Sequence, residues 1–559
     1  MNKGFKKYIP FQQIDLPNRQ WPTRTITKAP IWCSVDLRDG NQALVDPMNL
    51  QQKLQYFTAL CKMGFKEIEI GFPSASETEY EICRALIEGG YIPDDVSIQV
   101  LVQAREHLIR RTFEAIRGAK NVIVHFYNST STLQRKVVFH TDVQGVTDIA
   151  VEGAKLVRKL AEEFDGDTNI RFEYSPESFS GTEPDAAVTV CEAVMEALGS
   201  TKENPVILNL PNTVEMCTPN TYADQVEYFI THLKNREAAI ISLHPHNDRG
   251  TGVAGAELGL MAGADRLEGT LFGNGERTGN LDLVTVGLNM YTQGIDPELD
   301  FSDLPSLRAM YEHCTNMKVG ERQPYAGDLV FTAFSGSHQD AINKGVHYME
   351  ESNSPYWEIP YLPIDPSDVG RQYEPIIRIN SQSGKGGAAF VMQEIFGYHL
   401  PKDMQPEFGT LVKKACDDAG RELSAEEVLD VFKQHYVDVP RKYELGQMFI
   451  TELSGHDGSD VRFSGTVKVD GVEKQIEAIG NGPIDSFFKA LEQIGVYGYH
   501  FLTYSEHALT SGSNSRAVAY IRLQCPDGVA RYGVGYSHNI NRASIKGILS
   551  AINRVEAHM

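Results

Sequence analysis

The eight cysteines, at 33, 61, 83, 191, 217, 314, 416 and 525, include no C-x-x-C pair. Neither a disulfide framework nor a zinc ribbon is indicated, and a reducing cytoplasm is the expected compartment. The sequence has no apolar run long enough to span a bilayer, and residues 1 to 30 lack the apolar core of a secretory signal, so no membrane partner is expected. Positive charge is scarce: 52 Lys and Arg stand against 74 Asp and Glu, a net charge of -22. Such a chain repels polyanions, which argues against a nucleic-acid partner and leaves room only for a small anion at a local basic pocket. The exception is the first 30 residues, where Lys3, Lys6, Lys7, Arg19, Arg24 and Lys28 face Asp15 alone. This arm reads as a polar extension lying over the main domain.

What is present is ample core. A chain of 559 residues with 42% apolar content suits about three or four globular domains. From residue 31 to 292, eight short apolar runs alternate with helical patterns: IWCSVDL (31–37), EIEIGF (67–72), VSIQVLVQ (96–103), NVIVHFYN (121–128), NIRFEYS (169–175), PVILNLPN (205–212), AIISLHP (239–245) and DRLEGTLFG (265–273). The first helical pattern places Leu50, Leu54, Phe57 and Leu60 on one face behind Pro47 and Asn49, and Val151 to Phe164 and Ala186 to Leu198 repeat it. Eight strand-helix alternations over about 260 residues predict an α/β fold, a (β/α)₈ TIM barrel. A doubly wound open sheet is the alternative. Its first strand normally leads into a glycine-rich phosphate turn, and here RDGNQ follows instead.

Barrel chemistry belongs at the strand ends, and polar residues collect there. Arg38 and Asp39 follow the first strand, His125 lies on the fourth, Ser175 and Glu177 follow the fifth, and Asn212 and Thr213 follow the sixth. His244 and His246 stand at i and i+2 at the end of the seventh strand, which Pro245 closes. In an extended chain this spacing puts both imidazoles on one side, roughly 6 to 7 Å apart along the backbone. The eighth strand runs into FGNGERTGN (272–280). Taken one at a time, each residue has a plainer role: Asp39 as a turn cap, Glu177 as a solvated acid, the histidines as satisfied core groups. Their recurrence at the same end of successive strands favours a site. Asp39, His244 and His246, with Asn280 as a possible fourth ligand, are the donors for one divalent cation of the Zn, Mn or Co kind with open positions. Such a cation can chelate a 2-oxo acid, and Arg38 can stabilise the alkoxide formed when a carbanion attacks the keto carbon.

After residue 300 the pattern is less regular. Helical stretches from Leu307 to Met317 and Glu426 to His435 flank a proline-rich crossing from Pro355 to Pro375. From about residue 440 an internal repeat appears. FITELS, VRFSGTVKV and EKQIEAIG precede a helix with Ile484, Phe487, Phe488, Leu491 and Ile494 on one face. HFLTYSE, AVAYIRLQ and ARYGVGY precede a helix carrying Ile545, Ile548, Leu549, Ile552 and Val555. Two βββα units of this kind, an α+β arrangement, pack naturally as a pseudo-twofold pair. The expected division is an extension at 1–30, a catalytic barrel at 31–300, helical linker subdomains at 301–438 and a C-terminal domain at 439–559.

The LRDGNQ turn, the HPHND strand end, NLPNTVEMCTPN (209–220) and GNGERTGN, together with FSGSHQDAINKG (334–345), PYLPIDP (360–366) and NSQSGKGG (380–387), resemble the 2-isopropylmalate synthases over nearly the whole chain. The resemblance implies a metal-dependent acyltransferase that condenses acetyl-CoA with 3-methyl-2-oxobutanoate and water in leucine biosynthesis. It implies Mg2+ as the metal, with Mn2+ or Zn2+ as alternatives, held by Asp39, His244, His246 and Asn280. Arg38 would polarise the keto oxygen, and His125, Ser175 and Thr213 would line the keto-acid pocket. Glu177 and His338 would form an acid-base pair, with Tyr361 joining them from the partner subunit of a homodimer. For His338 alone, a solvated helix start is the plainer reading. SGKGG (383–387) resembles a weak phosphate cradle for CoA. The C-terminal pair would bind leucine as feedback inhibitor, with Gly482, Ile484, Tyr504 and Ala508 at the pocket. Homocitrate and citramalate synthases are the rival assignments within the same group, differing in which 2-oxo acid fits.

Overall fold

The computed structural model describes residues 3–556 apart from 165, 334, 374–384, 422, 440, 454–459 and 510–514. The start of the SGKGG segment, at 383 and 384, thus lies outside the described residues. The chain divides into two compact units: Met1–Phe331 with Ile364–Gln372, and Thr332–Pro363 with Tyr373–Met559. No described helix is long and apolar enough to cross a membrane.

In the first unit eight parallel strands close a barrel in sequence order: β1 (Ile31–Ser34), β2 (Glu67–Gly71), β3 (Ser97–Gln103), β4 (Asn121–Ser129), β5 (Asn169–Glu177), β6 (Val206–Asn212), β7 (Ala239–Pro245) and β8 (Arg266–Gly269). The helices between them follow local signals. The helix Leu50–Met63 begins on a reciprocal capping box between Asn49 and Gln52 and ends at Gly64 in the left-handed region. It buries Leu54, Phe57 and Leu60. Leu50, at the first position of that helix, remains exposed. The N-terminal arm is strapped to the helix Pro219–His232. Arg19 makes paired bonds of 2.7 and 2.8 Å to Asp224, and the Gln20 amide donates to Glu227 at 2.9 Å.

Strands one and eight are shorter than their apolar runs suggest. After Ser34 the amides of Arg38, Asp39 and Gly40 all turn back onto the Val35 carbonyl, curling Asp36–Gly40 into a π-helical turn. The end of β8 is set by the returning chain, since the Thr270 amide donates to Leu281 O at 3.0 Å and a Cβ at Gly269 would meet that oxygen at 2.5 Å. β5, in contrast, runs on through Glu177.

The barrel interior is polar. Side chains two residues apart face the same side of a strand, and this period brings Glu67, Glu69, Gln99, Glu173, Arg266 and Glu268 inward, all buried. Arg266 is wholly buried at their centre. It donates to Glu67 at 2.6 Å, to Glu268 and Ser242 at 2.8 Å and to Gln99 at 2.8 Å, and lies 3.3 Å from Glu173.

The second unit contains the helices Gly336–Ser352, Lys385–Glu394, Gln405–Ala419 and Ala425–Tyr436, followed by two βββα repeats. The first repeat is β9 (Tyr443–Glu452), β10 (Val461–Val469), β11 (Val472–Gly480) and the helix Pro483–Glu492. The second is β12 (His500–Ala508), β13 (Ala517–Gln524), β14 (Ala530–Ser537) and the helix Ile540–Glu556. Each forms a three-stranded antiparallel sheet. Phe463, Ile476, Phe487 and Leu491 of the first repeat share one core with Ile521, Ile545, Ile548 and Ile552 of the second, so each repeat covers the other's apolar face.

Replacing Arg266 by Met keeps the volume but leaves Glu67 and Glu268 without their common cation. Breaking a buried pair in this way costs about 3–5 kcal/mol. The expected outcome is a marked drop in the denaturant midpoint of the barrel unit, followed by fluorescence of Trp21 and Trp32; a change under about 1 kcal/mol would show that the layer is not held by this charge.

Candidate active site

The mouth of the barrel at the carboxyl ends of the strands opens on a cavity of about 350 Å³ lined by Arg38, Asp39, His125, Ser175, Glu177, Thr213, His244 and His246, among others. The π-helical turn delivers the first two. Asp36 anchors it from below, accepting from Ser34 Oγ at 2.8 Å, Tyr56 OH at 2.7 Å and the Leu271 amide at 3.0 Å. Burial pushes the Asp36 carboxyl up to about 7, against those donors. Arg38 is then clamped between Asp39, at 2.9 Å, and Glu69.

Asp39, His244 and His246 are buried, and their donor atoms all lie within 4.8 Å of one another. His244 Nε2 is 3.1 Å from Asp39 Oδ2, and His246 Nε2 is 3.9 Å from the same oxygen. Glu268 holds His244 Nδ1 at 2.8 Å, fixing the ring with Nε2 toward Asp39, as a supporting carboxylate does for a metal-bound histidine. Burial alone would raise the Asp39 carboxyl, but Arg38 and His244 outweigh it and hold Asp39 well below the usual carboxylate range. Burial would likewise lower His244, yet its bonds to Asp39 and Glu268 bring it up to about 9. His246 goes the other way, to about 4, through burial and the neighbouring His244.

Asn280 lies next to His246, with which it forms a backbone bridge, and its Nδ2 donates to Asn274 O at 3.1 Å, which turns Oδ1 the other way. Among the described residues, Asn280 Oδ1 and His246 Nδ1 are buried without a hydrogen-bond partner. An unpaired buried amide oxygen is costly, and a cation beside it would satisfy it. The GNGERTGN loop makes the approach possible: Gly279 has φ +101°, and a Cβ there would meet Gly273 O at 1.9 Å. The imidazoles of His244 and His246 and the Asp39 carboxylate converge closely enough to fit a divalent cation with open positions.

The adjoining pocket residues are also brought together. His125 Nδ1 lies 2.7 Å from Glu69 and Nε2 2.7 Å from Ser175 Oγ, which also accepts from Asn209 at 3.0 Å. With Nδ1–H donating to Glu69, Nε2 is left to accept from the Ser175 hydroxyl. Thr213 Oγ1 accepts from the Ser178 amide at 2.9 Å, and Glu177, the last residue of β5, accepts from Ser129 Oγ. Phe72, Leu101, Tyr127 and Pro211 supply an apolar part of the wall.

His338 and Tyr361 belong to the second unit. His338 is exposed in the first turn of its helix, and its ring stacks on that of Tyr361 with centroids 4.0 Å apart. Tyr361 was expected from a partner subunit. Here its ring lies in the same chain as that of His338. In the C-terminal repeats Gly482 caps the helix Pro483–Glu492, Ile484 lies in its first turn, and Tyr504 and Ala508 lie on the edge strand β12.

Glu69, Gln99, Glu173, Asn209 and Glu268 were not anticipated from the sequence. The available signal was the two-residue period: Glu173 stands two before Ser175, and Asn209 four before Thr213.

Three family models match the chain: HMGL-like over residues 29–310, alpha-isopropylmalate synthase post-catalytic domain-like over 328–393, and the LeuA allosteric (dimerisation) domain over 422–556. Among similar proteins, the 2-isopropylmalate synthase of Clostridium acetobutylicum is 55% identical over 553 residues, covering 98% of this chain and 99% of that protein. That of Rhodospirillum rubrum is 54% identical, covering 98% of each.

Proposed function

The chain belongs to the 2-isopropylmalate synthase family, and from that premise we propose that it condenses acetyl-CoA with 3-methyl-2-oxobutanoate and water to give 2-isopropylmalate and CoA. It is an acyltransferase of leucine biosynthesis from a metal-dependent family. The observation that carries the site assignment is the convergence of Asp39, His244 and His246, with Asn280, whose side-chain oxygen has no partner, bridged to His246 through the backbone.

A divalent cation held by these four residues, Mg2+ with Mn2+ and Zn2+ as alternatives, would supply a Lewis acid for the keto oxygen. Arg38, fixed between Asp39 and Glu69, faces the same cavity and offsets the negative charge that grows on that oxygen as its carbon is attacked. His125, Ser175 and Thr213 offer polar contacts to the keto acid, while Leu101, Tyr127 and Pro211 suit a branched aliphatic side chain better than a second carboxylate. Glu177 is the base that takes a proton from the acetyl methyl group, with His338 and Tyr361 as its proton-handling partners. The new carbon–carbon bond leaves an alkoxide that gains a proton. Water then attacks the thioester carbonyl, and CoA leaves with a proton as the thiol.

The family assignment and the dimerisation domain support a dimer, and the scattered cysteines support a cytoplasmic setting. With a panel of 2-oxo acids and acetyl-CoA, thiol release should depend on added divalent metal and be fastest with 3-methyl-2-oxobutanoate. Faster turnover with 2-oxoglutarate or pyruvate would reassign the enzyme to homocitrate or citramalate synthesis.

Leucine is the proposed inhibitor, bound in the C-terminal repeats at residues 439–559 near Gly482, Ile484, Tyr504 and Ala508. Gly482 is extended, at φ 169°, and a Cβ there meets nothing within 4 Å, so a larger side chain fills ligand space without disturbing the fold. Gly482→Trp should raise the leucine concentration for half-inhibition by about tenfold or more, equivalent to about 1.4 kcal/mol, with kcat little changed. Full leucine sensitivity in the variant would contradict this site.

A further inference from the structure

Beneath the cavity floor Gln99, on β3, is fully buried, and both ends of its amide are hydrogen-bonded. Nε2 has two hydrogens, and two carboxylates take them: Glu69 Oε2 at 2.7 Å and Glu268 Oε1 at 3.0 Å. The amide oxygen accepts from Arg266 Nη2 at 2.8 Å. Charge fixes this orientation. Turning the amide over would aim its oxygen at two carboxylates and its nitrogen at a guanidinium.

The two carboxylates that Gln99 joins have different clients. Glu69 holds Arg38 through Oε1 and His125 Nδ1 through Oε2, the latter at 2.7 Å. Glu268 holds His244 Nδ1 through its other oxygen at 2.8 Å. Asn209 steadies the same arrangement from β6, donating to Ser175 Oγ at 3.0 Å and to Glu268 at 3.1 Å. A continuous set of hydrogen bonds therefore runs from Arg38 and His125, through Glu69, Gln99 and Glu268, to His244.

We propose that Gln99 is a positioning residue for the condensation: by bridging Glu69 and Glu268 it sets the spacing between the keto-acid side of the site and its cation-binding side. The inference rests on the function proposed above. Two like charges in a dry interior repel strongly, and a neutral group with two donors can hold both without adding charge. Neither carboxylate can do this for the other, and a cation in place of Gln99 would change the charge presented to His244.

The test is calorimetric titration of Mn2+ into the full-length protein, alongside steady-state kinetics. Gln99→Met keeps the volume and removes both donors. Supporting residues of metal ligands typically change affinity about 10- to 100-fold, so Mn2+ affinity should fall at least about tenfold, and KM for the keto acid should rise as kcat falls. Gln99→Glu, which keeps the shape but faces two carboxylates with a third, should show the same losses and carries the test if Gln99→Met does not fold. Val124→Ala, on the opposite face of β4, is the control for a destabilised barrel and should keep Mn2+ affinity. His244→Ala separates the two layers of argument. Wild-type Mn2+ affinity in that variant would remove the metal reading itself. Loss of Mn2+ in His244→Ala, with wild-type affinity and KM in the Gln99 variants, would overturn only the role of Gln99.

Discussion

Arg266 and the carboxylates of Glu67 and Glu268 share the buried interior of the barrel, and the arrangement of the site above depends on their pairing. Burying an ion costs several kcal/mol unless it is paired and hydrogen-bonded. Burial works to raise the acids, but Arg266 with Arg171 keeps Glu67 low, Arg38 with His125 keeps Glu69 low, and Arg266 with His244 keeps Glu268 well below the usual range. For Glu173 burial prevails, and with Glu268 and Glu69 nearby it pushes the carboxyl well up, against Arg266. The guanidinium groups of Arg266, Arg171 and Arg38 thus face the carboxylates of Glu67, Glu69 and Glu268. Asp39 is the further negative charge at the mouth, positioned to meet a cation with the two histidines. The electrostatics that stabilise the barrel floor are therefore also what aims Arg38, His125 and His244 into the cavity.

Much of this was legible in the sequence where local pattern decides. Alternating apolar runs gave the eight strands, and the strand-end positions of Asp39, His244 and His246 pointed to the group that the fold brings together. The charged layer below was not legible, because in a stretch such as EIEIGF the glutamates read as the solvent face of an amphipathic strand. Only closure of the barrel turns that face inward, and only the register between strands sets Gln99 beside both Glu69 and Glu268. The ends of β1 and β8 were misjudged for a related reason. Hydrophobicity continues through Val35 and Leu37 and through Leu271, but backbone bonds to Val35 O and Leu281 O stop the strands.

The second unit has a different logic. Its two βββα repeats are held by shared apolar surface, and the described residues offer no cluster of metal-binding groups there. Chemistry at the barrel and regulation at the repeats can be linked only if an inhibitor binds two conformations of the enzyme with different affinity, and substrate must then affect inhibitor binding by the same factor.

The most direct measurement is anomalous scattering from crystals of the protein grown with Mn2+. A single strong peak is expected at about 2.0–2.3 Å from Asp39, His244, His246 and the Asn280 side-chain oxygen, with Glu268 still bonded to His244 Nδ1. A peak elsewhere, or Mn2+ bound without the two histidines, would contradict the assignment of the strand ends as the catalytic centre.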